Sequence, residues 1–172
     1  MTEWNASGYA TIAALQSAMA EEVLGALHLN GSERVLDLGC GNGKITAEIA
    51  ARLPHGSVVG IDSSTQMIAS AREHFSAANL QFAISDIRHL IFREEFDLVV
   101  SFNALHWIPD QDSALRSIRT AMKPNSLAQL RLVPDGERKS LETVIEETRL
   151  SQAWAGYFRD FRDPYLHLTP GQ

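Results

Sequence analysis

Five short runs of apolar and β-branched residues alternate with helical periodicities along most of this chain. The runs lie at Glu33–Leu38, Ser57–Ile61, Leu80–Ile84, Phe96–Ser101 and Leu127–Leu132. Successive residues within each run are apolar, which is typical of strands buried on both faces, as in a parallel sheet. The alternation predicts a doubly wound, mainly parallel α/β sheet of about five strands with helices on both faces.

Apolar residues recur at helical spacing between the runs. The stripes are Ile12, Leu15, Met19, Val23 and Leu27; Ile45, Ile49 and Leu53; Met67, Ala71 and Phe75; and Leu115, Ile118 and Met122. Pro54 and Gly56 stop the second stripe, and Ser63 or Ser64 is a good N-cap for the third. We therefore predict a leading helix and three helices that connect the strands.

The pattern changes after the fifth run. Leu141, Val144 and Ile145 predict another helix, with no further strand behind it. An aromatic tail follows, with Trp154, Tyr157, Phe158, Phe161 and Tyr165. The fifth strand is therefore expected at an open edge, which the tail or a second copy of the chain would cover.

Composition narrows the function classes. The 172 residues are 45% hydrophobic and 21% charged, which suits one folded domain. A net charge of -6 with scattered basic residues argues against nucleic acid. The single cysteine excludes an internal disulfide, and no Cys/His cluster has metal-ligand spacing, so no metal is expected. Without a signal-peptide pattern or a membrane-length apolar stretch, we expect a cytoplasmic protein that does not bind membranes.

The most specific motif is VLDLGCGNG at Val35–Gly43, which places three alternating glycines between a buried strand and a helix. Glycine accepts a positive φ and lets a ligand approach the main chain closely. The helix N-terminus offers free N–H groups and a positive dipole end to an anionic group. We therefore predict a ligand pocket at Gly39, Gly41 and Gly43, beyond the strand ends.

The second strand ends in an acidic residue, Asp62. A carboxylate there can accept hydrogen bonds from both hydroxyls of a ribose, which favours a cofactor that contains a nucleoside. The alternative is a helix N-cap or a partner of the helix dipole. A dinucleotide is disfavoured because its fingerprint is G-x-G-x-x-G, whereas here the third glycine comes one residue early and Lys44 takes the sixth position.

The pattern D-x-G-x-G-x-G resembles motif I of the class I S-adenosylmethionine-dependent methyltransferases. Gly60–Ser64, Ser85–Ile87, Phe96–Ser101 and Ala121–Ser126 are similar to later motifs of the same family. In the last of these, Asn125 and Ser126 replace two glycines of a turn, and Asn tolerates the left-handed conformation. The resemblance implies S-adenosylmethionine as the cofactor. It also implies a cofactor site made of Tyr9, Asp37, Gly39, Gly41, Gly43, Asp62, Ser63, Met67, Asp86, Ile87 and Asn103.

A narrower resemblance points to the small-acid carboxyl methyltransferases, such as the juvenile hormone acid and trans-aconitate enzymes. It depends on Tyr9 and Gln16, on His106-Trp107 after the fourth strand, and on the tail from Trp154 to Pro170. It implies a small carboxylic acid as methyl acceptor and Gln16, His106 and Trp107 as catalytic residues. Members of the family normally add a sixth and a seventh strand, so we expect this chain to lack its last two strands.

We expect one methyltransferase domain in three parts, an N-terminal helical cap at 1–30, a cofactor-binding core at 31–134 and a truncated aromatic tail at 135–172. A carboxylate substrate is already ionised at neutral pH and needs no general base. Arg131, at the end of the fifth strand, could pair with a second acid group of that substrate. A homodimer through the fifth-strand edge is a possible assembly.

Alternative functions stay open at this point. The acceptor could instead be an amine, a phenol or an activated carbon, in which case His106 would matter more as a base. A nicotinamide-dependent oxidoreductase is another alternative, although it would need to bind a dinucleotide, which Lys44 disfavours. The chain could also be a non-catalytic module that binds the cofactor, and Gln16, His106 and Trp107 could have only structural roles.

Overall fold

The computed structural model describes residues 22–132, 141–161, 163 and 165–166. Its centre is a five-stranded sheet in the order β3-β2-β1-β4-β5, and every pairing is parallel. The strands are β1 (Arg34–Leu38), β2 (Ser57–Asp62), β3 (Leu80–Ile84), β4 (Phe96–Phe102) and β5 (Met122–Arg131). The predicted fold class and all five predicted strands are therefore confirmed.

Besides a helical stretch at 22–26, the described part of the chain contains four helices. They are α1 (Lys44–Ala51), α2 (Thr65–His74), α3 (Gln111–Ala121) and α4 (Leu141–Leu150), with short 3-10 turns at Ile87–His89, Leu105–Trp107 and Ala155–Tyr157. Ser64 is the N-cap of α2, because its Oγ accepts the N–H of Met67 at 3.2 Å. Of the predicted leading helix, the structure describes a helical stretch at 22–26. None of the described helices is both long and apolar enough to cross a bilayer.

Apolar layers cover both faces of the sheet, as the continuous apolar strands predict. On one face, Ile49 of α1 and Leu53 just after α1 pack with Leu24 against buried side chains of β1, β2 and β4. On the other face, Ala114 and Ile118 of α3 pack against the opposite side chains of the same strands. The sheet is thereby fixed as a rigid support for the loops at its carboxyl edge.

The fifth strand is irregular at its start. Its partner β4 pairs Phe96 with Met122 but Leu98 with Leu127, so extra residues of β5 lie between these two pairs. Asn125 has a φ of 63° within this stretch, which confirms the predicted left-handed turn. Within the described residues β5 pairs only with β4, and the expected homodimer through its free edge stays a prediction.

Candidate functional site

A glycine cradle, residues Gly39–Gly43, lies where the order of the strands reverses. From β1 the chain passes to β2 and β3 on one side of the sheet and then crosses to β4 on the other. The loop after β1 therefore opens into the crevice in which open α/β sheets bind ligands. Gly39, Gly41 and Gly43 have φ angles of 73°, 54° and 81°, a region that other residues adopt only at a cost.

The three glycines meet different surroundings. A Cβ atom added to Gly39 would lie 2.2 Å from the Cβ of Ala104, in the loop after β4. One added to Gly43 would lie 2.6 Å from the ring of Phe82. A Cβ on Gly41 would meet nothing within 4 Å. The outer glycines thus let the cradle pack against the protein, and the middle one faces open space in which a ligand has room.

Asp62 joins the cradle to the loop after β2. Its Oδ2 accepts the N–H of Gly41 at 3.0 Å, and its Oδ1 accepts the N–H of Ser64 at 2.9 Å. A carboxylate has about four acceptor positions, so two remain for further donors. Asp62 is half-buried beside Ser63, at the carboxyl edge of the sheet. Both residues therefore lie where a ribose would need them, and their role in binding stays a prediction.

Asp37 is buried under the cradle and is 2% exposed. Its Oδ2 accepts the hydroxyl of Thr46, on α1, at 2.7 Å. Burial raises the pKa of Asp37 to about 6, the Thr46 hydrogen bond opposes this shift, and the charge of Asp62 adds to it. Two carboxyl groups therefore share this end of the sheet. The neighbouring thiol of Cys40 has its pKa raised by burial, so it stays protonated and unreactive.

The residues predicted for the adenine end lie after β2 and β3. Asp86 caps the 3-10 turn at Ile87–His89 and is held by the guanidinium of Arg88, with Nη2 to Oδ2 at 2.6 Å. That contact lowers the pKa of Asp86. Met67 and Ile87 are only 3% and 7% exposed, so each offers little surface to a ligand. The pairing with Arg88 was not predicted, and a role for these residues in cofactor binding stays a prediction.

Asn103 follows β4 in the left-handed conformation, with a φ of 59°. Its N–H donates to the carbonyl of Arg131 at 3.1 Å, which ties the ends of β4 and β5 together. Its buried Oδ1 has no hydrogen-bond partner among the residues that the structure describes. An acceptor buried without a donor is costly, so this atom is a candidate contact for a ligand N–H.

His106 and Trp107 follow in the 3-10 turn Leu105–Trp107, which we call the Trp107 turn. His106 is 4% exposed and Trp107 is half-buried. Tyr165 of the tail packs against both rings, with centroid distances of 4.8 Å to His106 and 5.1 Å to Trp107. Gln111 donates its Nε2–H to the carbonyls of Leu105 and Ile108 at 2.6 and 2.7 Å.

The structure thus brings most of the predicted site residues to one edge of the sheet. Tyr9 and Gln16 lie outside the described residues. Thr46, Gln111 and Tyr165 support the site but were not predicted as members of it. Tyr165 had a signal in the sequence, because it belongs to the tail segment that resembles the small-acid enzymes. Gln111 had none, because an amide that caps carbonyls leaves no spacing pattern.

Comparison with known proteins gives matches at several levels. Residues 35–125 match the sequence profile of a methyltransferase domain. The trans-aconitate 2-methyltransferase of Variovorax paradoxus (strain S110) is 31% identical over 156 residues, which are 90% of this chain and 59% of that protein. The enzyme of the same name from Escherichia coli (strain 55989 / EAEC) is 33% identical over 152 residues, 88% of this chain and 59% of that protein.

A solved structure is also similar. An S-adenosylmethionine dependent methyltransferase from Mesorhizobium loti superposes with a TM-score of 0.55 at 29% sequence identity. That superposition covers 64% of this chain and 52% of the Mesorhizobium protein. The chain spans about three fifths of the length of the curated relatives that it matches.

Proposed function

Because this chain belongs to the class I S-adenosylmethionine-dependent methyltransferase family, we propose that it transfers the methyl group of S-adenosylmethionine to the carboxylate of a small organic acid. The family itself is the one that the glycine and Asp62 motifs predicted, and the profile match confirms it. The relatives named trans-aconitate 2-methyltransferase support an acid as the acceptor.

The observation that carries the proposal is the pair of carboxyl groups at the glycine cradle, together with the open space in front of Gly41. Gly41 faces open space, and Asp37 and Asp62 lie close enough for the charge of one to raise the pKa of the other. Two carboxyl groups favour a ligand with positive charge and disfavour a pyrophosphate. S-adenosylmethionine carries such a charge on its sulfur, so the residues present fit it better than a dinucleotide.

The cofactor would be held mostly by groups that the fold has already positioned. The cradle would take its amino-acid end, the two remaining acceptor positions of Asp62 its ribose, and Asn103 Oδ1 one of its N–H donors. When bound, the cofactor supplies a methyl group that is already activated by the positive sulfur. The task left to the protein is to orient the acceptor and to exclude water.

The acceptor would bind beyond the cradle, beside the Trp107 turn and Arg131. Trp107 offers an apolar wall, and His106 a ring that can orient a carboxylate. Arg131 lies at the end of β5, where its guanidinium is 3.3 Å from Glu22, a 70% exposed partner. Such an exposed ion pair is weak, so a substrate carboxylate can compete for the guanidinium.

A second candidate is transfer to an amine or a phenol. The observation that favours it is the position of His106, a titratable ring buried next to Trp107. These acceptors lose a proton on methylation, whereas a carboxylate does not, so they would use His106 as a base.

Calorimetry and a transfer assay together test the proposal. We expect Asp62→Asn to weaken S-adenosylhomocysteine binding by about 10-fold or more, since it removes a charge and an acceptor. Asp112→Asn, which changes an 85% exposed carboxylate on α3, is the matched control and should bind normally. Equal binding by the two variants would contradict the ribose role of Asp62.

The transfer assay decides the acceptor. Radiolabelled S-adenosylmethionine is supplied with small acids that carry one, two or three carboxyl groups, and with amines and phenols. We expect label in base-labile esters of the acids. Transfer only to amines or phenols would leave the cofactor assignment in place and refute the acid acceptor.

A further inference from the structure

We propose that the C-terminal tail is part of the acceptor side of the site, with Tyr165 as a positioning residue that holds Trp107 against the methyl acceptor. The inference rests on the proposed function, because it concerns the acceptor of that same reaction. In this role the tail would limit the size of the methyl acceptor that fits the site.

The rings of Tyr165 and Trp107 are in direct contact. The rings of Tyr165 and Trp107 meet edge to face, with an interplanar angle of 87° and centroids 5.1 Å apart. Tyr165 also lies against His106 at 4.8 Å. Edge-to-face pairs are a favourable arrangement of aromatic rings and fix their relative orientation. The tail therefore determines the angle at which the Trp107 indole stands.

The carbonyl groups of the Trp107 turn are held by residues outside the turn. A 3-10 turn of three residues contributes little stability by itself, so its position depends on what holds its carbonyls. Gln111 holds the carbonyls of Leu105 and Ile108, and the N–H of Leu166 holds that of His106 at 2.7 Å. The His106 carbonyl, one of the two that lie between those held by Gln111, is thus hydrogen-bonded to the tail.

Tyr165 is more deeply buried than the other described aromatic residues of the tail. Tyr165 is 7% exposed, whereas Trp154, Tyr157, Phe158 and Phe161 are between 38% and 83% exposed. The N–H of Tyr165 donates to Asp163 Oδ1 at 2.9 Å, which anchors the main chain at Tyr165 locally. Among the described tail aromatics, Tyr165 alone is buried against the site.

The Trp107 turn lies next to the glycine cradle. The Trp107 turn follows Ala104, which packs directly on Gly39 of the cradle. A group bound in the cradle would therefore have the Trp107 turn as a neighbour, and the proposal places the acceptor between them. Removing the Tyr165 ring would let Trp107 relax into the space that it leaves, which would enlarge the acceptor space and blur its alignment.

The experiment compares Tyr165→Ala with Tyr165→Phe and with Tyr157→Ala. Tyr157 is an 83% exposed tyrosine of the same tail and serves as the matched control. Rates are measured with a small acid and with bulkier acids, alongside S-adenosylhomocysteine affinity and the melting temperature. We expect Tyr165→Ala to lower kcat for the small acid by about 10-fold to 100-fold and to favour bulkier acids relative to it. Cofactor affinity should change by less than about 3-fold.

Tyr165→Phe keeps the ring and should restore kcat to within about 3-fold of the unchanged protein. Tyr157→Ala should behave like the unchanged protein throughout. If Tyr165→Ala lowers cofactor affinity as much as kcat, or leaves the order of acceptors unchanged, the positioning role is refuted.

A spectroscopic readout keeps the inference testable without turnover. The chain has three tryptophans, so fluorotryptophan labelling gives three fluorine signals, and Trp107→Phe identifies the one from Trp107. We expect Tyr165→Ala to shift or broaden that signal, and Tyr157→Ala to leave it unchanged. An unmoved Trp107 signal would overturn the inference. Absence of transfer to any acid, with the signal shifted as expected, would refute the proposed acid acceptor but not the holding of Trp107.

Discussion

The glycine cradle and the Trp107 turn lie side by side but are built in opposite ways. The cradle is main chain from one short segment, fixed by positive φ angles and by hydrogen bonds to Ile61 and Asp62 of the next strand. The Trp107 turn presents side chains and is held by Gln111 and by a tail residue 58 positions further on in the chain. Main-chain groups can bind a cofactor that all members of a family use, because every residue type has them. Selection of one acceptor needs particular side chains, which the fold brings together.

The largest expected effect contrasts Gly39→Ala with Gly41→Ala. Both glycines have a positive φ, but only Gly39 has a neighbour, Ala104, in the way of a Cβ. We expect Gly39→Ala to lower the free energy of unfolding by about 3 kcal/mol, through overpacking and backbone strain together. Gly41→Ala should cost about 1 kcal/mol, from backbone strain alone. Urea unfolding measures both values.

For ligand binding by the folded molecules we expect the opposite order, with Gly41→Ala losing more affinity than Gly39→Ala. Gly41→Ala places a methyl group in the open space of the cradle, so S-adenosylhomocysteine affinity should fall by about 10-fold or more while the fold survives. If Gly41→Ala binds S-adenosylhomocysteine with unchanged affinity, the ligand does not approach the middle of the cradle. The cradle would then not be the main-chain binding site that distinguishes it from the Trp107 turn.

The next effect concerns the protonation of Asp37 in the ligand-free protein. Its pKa is raised to about 6 in the folded protein, against an ordinary value near 3.9 in the unfolded chain. Between these values the folded protein binds more protons than the unfolded chain, so the free energy of unfolding falls as pH rises through the window. The contribution of Asp37 should be fully present below about pH 4 and should decline by about 3 kcal/mol by about pH 7.

Comparison with Asp37→Asn isolates this contribution from the other carboxylates, some of which have lowered pKa values and act in the opposite direction. The difference in unfolding free energy between the two proteins should follow the decline as pH rises. Thr46→Val removes the hydrogen bond that lowers the pKa of Asp37, so it should extend the decline to higher pH. A difference that is flat with pH would show that Asp37 is ionised throughout.

The smallest expected effect tests Arg131 as a docking point for a second carboxylate of the acceptor. Arg131→Gln should raise KM for acids with two or three carboxyl groups by about 10-fold and leave KM for a monocarboxylic acid unchanged. Glu22→Gln removes the competing ion pair and should lower KM for the same acids by about 2-fold to 3-fold. Arg116→Gln, which changes an exposed arginine on α3, is the control. Equal changes in KM for mono- and polycarboxylic acids would refute this docking.

The fold was predictable because its signals are local. Continuous apolar runs and helical stripes gave the five strands and the connecting helices, since burial on both faces leaves that pattern in any sequence. The cradle was equally visible, because positive φ angles require glycine at fixed positions. Even the Asn125 turn followed from what a single residue tolerates.

The supports of the site were not predictable in the same way. Arg88 forms an ion pair with Asp86, two residues before it in the chain. No spacing rule distinguishes such an ion pair from two charged side chains that are separately solvated. Tyr165 meets Trp107 only after the chain has folded back over the end of β4. Long-range contacts of this kind depend on tertiary packing, which the residue pattern does not encode. The division into cap, core and tail, and the assembly at the β5 edge, stay predictions.

We expect Asp37, the buried carboxyl group under the cradle, to couple ligand binding to proton release. Near pH 6 about half of the empty molecules hold a proton on Asp37, and in those molecules Asp37 adds no negative charge to that of Asp62. A cation that enters the crevice stabilises the ionised form and expels the proton, so its affinity must climb with pH through that range and then level off. When the ligand loses its positive charge, Asp37 takes up a proton again. We therefore expect a positively charged ligand to bind more tightly than its neutral counterpart.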